Sequence, residues 1–152
     1  MAPRNNRRIP PIADTTTSSR LPNRHVMGLA NCYANCAFSF KYLQLSDAVF
    51  VVEHDDAGYY HKIIERLQVL STTSVSELMN SRSSALRCHP IDWSDVKVSR
   101  SSFGIPKEEE LYDKPYQLTI SANEYGRIHG FFTGDTFNIV WFDRKHELYS
   151  NR

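Results

Sequence analysis

No apolar run of about 18 residues occurs in the 152-residue chain, so no segment reads as a membrane-spanning helix. The first 30 residues lack the apolar centre of a secretory signal. Cysteine is scarce. Its three copies, an odd number, do not make a fully paired disulfide framework and fit a reducing, cytoplasmic setting. Also missing are the GxxxxGK[ST] phosphate loop, the GxGxxG dinucleotide turn, the HExxH zinc helix and the GxSxG nucleophile elbow. Nucleotide-driven, zinc-protease and serine-hydrolase chemistry therefore has no support here. There is no internal repeat.

A large charge of one sign is absent too. The formal net charge of +1 argues against a chain-wide attraction to nucleic acid. The charge is nevertheless uneven. Residues 1–25 carry Arg4, Arg7, Arg8, Arg20 and Arg24 against Asp14 alone, which leaves residues 26–152 with 13 basic and 16 acidic groups, net −3. Residues 1–26 are rich in Pro, Arg, Ser, Thr and Asn and poor in large apolar groups. Such a segment buries too little to offset chain entropy, so a disordered basic arm is expected there, with a single domain over 27–152. A basic arm on an acidic body can dock phosphate or an acidic partner, or can be a solvated leader.

What the chain does have is alternation, then a helical period, then alternation again. In AFSFKYLQL, 37–45, Phe38, Phe40 and Tyr42 alternate with Ser39, Lys41 and Leu43, which predicts a strand. The β-branched run AVFVVEH, 48–54, reads as its partner across Ser46-Asp47. Tyr60, Ile63, Ile64, Leu67 and Leu70 then fall on one helical stripe, with Asp55 or Asp56 as cap. Ser74 and Glu77 have capping-box spacing before a shorter helix. Residues 83–114 are irregular, broken by Pro90 and Pro106, with a helical turn at 107–112. PYQLTIS, 115–121, opens a three-strand meander, placing Tyr116, Leu118 and Ile120 on one face. The expected class is α+β: a small antiparallel sheet with two helices on one face.

The meander ends in GRIHGFFTGDTFNIVWFDRKHELY, 126–149. Gly134-Asp135 suits a two-residue hairpin turn. That turn sets Phe132 opposite Phe137, Gly130 opposite Ile139 and Ile128 opposite Trp141. One face is then wholly apolar and belongs to the core. The other pairs Arg127 with Phe142, His129 with Val140 and Phe131 with Asn138. It is either a half-wet surface partly covered by 83–114 or an open face able to stack a base and hold a phosphate. A one-residue slip would exchange the faces. Beyond it, Asp143, Arg144, Lys145, His146 and Tyr149 are dense in titratable groups. His146 suits general acid–base work, and an exposed strand end with solvated charges is the plainer alternative.

Cys32, Cys36 and Cys88-His89 do not have the spacing of a compact zinc site, and free thiols are the simpler reading. In CHPIDW, Pro90 and Asp92 read as a turn anchored by Trp93, with a ligand contact by Trp93 or His89 as the alternative.

The order strand, two helices, meander and a His- and Tyr-bearing end resembles the RelE/YoeB/ParE superfamily of small bacterial toxins, over residues 37–82 and 115–149. The likeness implies a metal-free, cofactor-free endoribonuclease acting on messenger RNA at the ribosome and held by an antitoxin. It would assign catalysis to Arg127, His146 and Tyr149, with His129, Asn138, Arg144 and Lys145 binding substrate. A base would take the ribose 2′-hydroxyl proton for attack on phosphorus, and an arginine would offset the charge that develops. Departures are the acidic body, the long 83–114 insertion, and the spacing of His146 from Tyr149. The other expectation is a non-catalytic α+β binding module, a partner protein in a bacterial or phage toxin–antitoxin or defence system.

Overall fold

A computed structural model describes residues 35–149, apart from 53–55, 84–85, 87, 96 and 122–123. The chain divides into the units Met1–Cys32 and Tyr33–Arg152, and the described residues all belong to the second. The expected arm, Cys32 and the alternative cap Asp55 lie outside them.

The elements are β1 (Ala37–Ser39), α1 (Ala57–Leu70), α2 (Val75–Asn80), β2 (Cys88–Pro90), α3 (Glu108–Leu111), β3 (Pro115–Thr119), β4 (Arg127–Thr133) and β5 (Thr136–Asp143), then a 3-10 turn at Glu147–Tyr149. They form an α+β fold on one mixed five-stranded sheet, ordered β1-β5-β4-β3-β2. β2 to β5 pair antiparallel, and β1 joins the edge of β5 in parallel, Ala37 beside Thr136.

Both helix starts follow local chemistry. The Asp56 carboxylate accepts from the backbone N–H of Tyr59 at 2.9 Å, capping α1. Ser74 and Glu77 close a reciprocal capping box on α2. The buried stripe of α1 is Tyr59, Ile63, Leu67 and Leu70. Ile64, expected on that stripe, is 61% exposed. The helical period is right but the stripe is rotated, since the run of apolar residues allows either phase. With Leu78 of α2, this stripe packs on Leu118, Ile120, Ile128, Phe137, Ile139 and Phe142. Each large side chain so buried contributes about 1.5–3 kcal/mol.

Two expected strands are corrected. β1 ends at Ser39, and Phe40 is 50% exposed. The described part of the 48–54 run, 48–52, is not a strand. Instead Asp47 turns the chain by accepting from Val49 N at 2.8 Å and Phe50 N at 3.0 Å, which drives Phe50 into the interior.

The hairpin turn forms as expected, with Gly134 at φ 58° and Thr133 opposite Thr136. Beyond Gly130 the register departs. Gly130 faces Ile139 but His129 faces Trp141, so Val140 is an extra residue in a β-bulge. Its carbonyl, left over from the ladder, accepts from Gln44 N at 3.0 Å. The Gln44 side chain in turn receives Trp141 Nε1–H at 2.8 Å and donates to Phe103 O at 2.8 Å. The bulge overturns the expected pairs Ile128–Trp141, His129–Val140 and Arg127–Phe142. Their observed partners are Phe142, Trp141 and Asp143 respectively.

Trp141 therefore leaves the helix side. It joins Phe50, Ile91, Phe103, Phe131, Val140 and Leu148 in a second core on the opposite face. Trp93, Ile105, Leu111 and Tyr112 of the irregular segment close over it. The face expected to be open or half-wet is interior: His129, Phe131 and Val140 have no exposed area.

Candidate functional site

The chemistry-bearing residues collect where β4 begins and β5 ends. Asp143, the last residue of β5, is 1% exposed and anchors the chain that follows. One oxygen accepts from Glu147 N at 2.7 Å. The other accepts from Leu148 N at 3.0 Å and lies 3.1 Å from His129 Nε2. Burial alone raises the Asp143 carboxyl. The His129 bond and charge, with the two backbone N–H groups, outweigh it and hold the carboxyl below its ordinary value. His129 Nδ1 is buried with no hydrogen-bond partner among the described residues.

The sequence-predicted site residues divide accordingly. His129 and Asn138, expected to bind substrate, are interior. Asn138 donates its amide to Thr133 Oγ1 at 3.0 Å and bridges the hairpin. These two are corrections. Both fell on the supposedly open face, which the irregular segment covers. Arg127 donates from Nη1 to Gly126 O at 3.0 Å and to Ser121 O at 3.5 Å, lying over the turn between β3 and β4. His146 holds the left-handed conformation, φ 59°, and its carbonyl accepts from Tyr149 N at 3.3 Å. Tyr149 is half-buried on the second core; burial, then the negative charges of Asp95 and Asp92, push its phenol up.

Arg144 and Lys145 do line a cavity. A half-open cleft of about 360 Å³ is lined by Ala48, Val49 and Val51 of the loop after β1, Tyr59 of α1, Phe142 and Asp143 of β5, and Arg144, Lys145 and Glu147 beyond it. Arg127, His129, His146 and Tyr149 do not line it. Arg144 is fixed in place: a guanidinium nitrogen lies 2.6 Å from Asp56 Oδ2, and its carbon stands 4.9 Å from the Tyr59 ring centre. More than a third of its side chain still faces solvent. The backbone N–H of Tyr59, and after it the bond to Arg144, hold Asp56 below its usual value.

Val49, Val51 and Tyr59 were not anticipated as cleft residues. The first two read as strand, and nothing local shows that the strand fails to form. Tyr59 was hidden by the choice of Tyr60 for the helix stripe.

Burial pushes the Cys36 thiol up to about 11 and the Cys88 thiol to about 12, where neither is a thiolate at neutral pH. Among the described residues, no three His, Cys, Asp or Glu side chains are grouped to hold a metal ion, and no helix is long and apolar enough to cross a membrane.

Fold and site together define an α+β protein with a mixed sheet cored on both faces and a cation-edged cleft at one end. No protein-family profile, curated protein or solved structure matches the chain.

Proposed function

We propose that this protein is a non-catalytic α+β binding module whose working surface is the cleft between residues 48–51 and 144–147. One observation carries the reading: His129 and Asp143 are spent on structure, whereas the cleft gathers apolar and cationic side chains. His129 is enclosed, and the Asp143 carboxylate is engaged by His129 and two backbone N–H groups. Among the described residues, no histidine or cysteine lines the cleft.

A ribonuclease working through Arg127, His146 and Tyr149 is the second reading. What favours it is that Arg127 lies opposite Asp143, the residue that holds the turn beginning after His146. Inducing the full chain in bacteria separates the two. The binding module predicts soluble expression without growth arrest, and purified chain that leaves single-stranded RNA intact. Arrest relieved by Arg127→Ala or His146→Ala would transfer the conclusion to the ribonuclease.

A further inference from the structure

We infer that the cleft is governed by a latch: the pairing of Arg100 with Asp47 holds the loop over residues 44–51, so the docked irregular segment sets the cleft lining. The inference rests on the binding-module reading and adds how that site is regulated. Val49 and Val51 line the cleft, follow closely on Asp47 and belong to no strand. What shapes this loop is one carboxylate. Asp47 Oδ1 accepts from Val49 N at 2.8 Å and from Phe50 N at 3.0 Å. That turn buries Phe50 and leaves Val49 and Val51 45% and 53% exposed. A turn made by a side chain on its own backbone lasts only while the side chain keeps its place.

Asp47 keeps its place through the irregular segment. Arg100 Nη2 lies 3.1 Å from Asp47 Oδ1 and 3.3 Å from Oδ2. Its Cζ stands 5.6 Å from the Phe50 ring centre and 5.7 Å from that of Trp141. One guanidinium thus engages both the acid that forms the turn and the ring that the turn buries. Among the described residues, no other side chain from outside the turn reaches the Asp47 carboxylate. The Asp47 side chain is 10% exposed, so solvent screens this pair less than a surface one. A second tie runs the same way: Gln44 Nε2 donates to Phe103 O at 2.8 Å. Ala48 lines the cleft and also an open hollow that Gln44, Asp47 and Arg100 share, so latch and cleft adjoin. Whatever draws Arg100 away therefore loosens Val49 and Val51. By linkage, a ligand that fixes the cleft lining favours the docked segment by the same free energy.

The test is backbone order measured by nuclear magnetic resonance relaxation on the full chain. In the parent, Val49, Phe50 and Val51 should have order parameters near about 0.85, the rigid range. In Arg100→Gln they should fall below about 0.6, while Ile63 and Leu67 of α1 stay rigid. Asp47→Asn keeps an oxygen for both amides but not the charge that holds Arg100, and should give the same local fall. Because the two side chains act through one contact, the double variant should fall no further than either single one. If Arg100→Gln does not fold, Arg100→Lys carries the comparison. It keeps the charge without the planar fork and should loosen the same three residues by less. Unchanged order at Val49 to Val51 overturns the latch. So does an equal fall in α1, which would make Arg100 a general stabiliser, and so do additive losses in the double variant. Those results leave the binding-module reading standing. Growth arrest that Arg127→Ala relieves would overturn that reading and leave the measured coupling of loop to segment in place.

Discussion

Asp143 joins the end of β5, the centre of β4 and the C-terminal turn through one carboxylate. Its folded pKa lies below the unfolded value of about 3.9, so its contribution is fully present above that value. It is lost as pH falls through the lower, folded value. Removing this carboxylate leaves the Glu147 and Leu148 N–H groups and His129 Nε2 without that partner, which costs about 1–3 kcal/mol for a buried group left unsatisfied. Asp143→Ala should lower the urea midpoint by that equivalent at neutral pH and flatten the loss of stability in acid. A variant as stable as the parent would show that the turn and His129 are held by other means. The thiols make a second residue-scale case. Cys36 is 2% exposed and Cys88 half-buried, both with raised pKa values. Iodoacetamide at mildly alkaline pH should label both far more slowly in the native chain than in urea, as read by peptide mass. Equal rates in the two states would contradict the burial.

At the scale of elements, α1 offers a direct comparison between neighbours. Ile63 is buried on the stripe and Ile64 is exposed. Ile63→Ala should cost about 2–5 kcal/mol, whereas Ile64→Ala should stay within about 0.5 kcal/mol. Equal costs in chemical denaturation would mean that the helix is rotated from the phase described. The β4–β5 hairpin has a comparable sensitive point. A Cβ on Gly130 would stand 2.0 Å from Asn138 O, a backbone atom that cannot move aside without opening the ladder. Gly130→Ala should therefore destabilise by about 1–3 kcal/mol or more, measured by the same denaturation. What was legible here was chemistry within a few residues: the Ser74/Glu77 box, the Asp56 cap and the Gly134-Asp135 turn. The bulge was not, because its cause is distant. The carbonyl of Val140 and the indole of Trp141 are both satisfied by Gln44, nearly 100 residues earlier. Nothing in the hairpin sequence reports that partner.

At the scale of the whole molecule, the α+β class, the two helices and the three-strand meander were legible because helix and strand periods are local. The candidate site was legible only in part. Arg144 and Lys145 were singled out by charge, but the valine wall depends on the 48–52 run leaving the sheet. The second core depends on which chain covers the far face of β4 and β5, and the irregular composition of 83–114 carries no period to show it. The two cores flank one sheet, and that geometry has a thermodynamic consequence. Leu67 packs on the helix side and Phe103 on the other. One strand, β4, feeds both: Ile128 the first, and Phe131, three residues on, the second. Loosening either side removes packing from strands that the other side needs, so the two cores should unfold together. Leu67→Ala and Phe103→Ala are expected to cost about 2–5 and 3–5 kcal/mol and to shift a single transition. Far-ultraviolet circular dichroism reports the helices, and the fluorescence of Trp141, stacked on Phe50, and of Trp93, packed on the same cluster, reports the second core. Coincident urea curves from both signals, in both variants, are the outcome this architecture requires. If Phe103→Ala melted the tryptophan signal while the helical signal persisted, the irregular segment would be a separable cover. The face carrying His129 would then open to solvent without global unfolding, and His129, a substrate-binding residue in the ribonuclease reading, would become accessible.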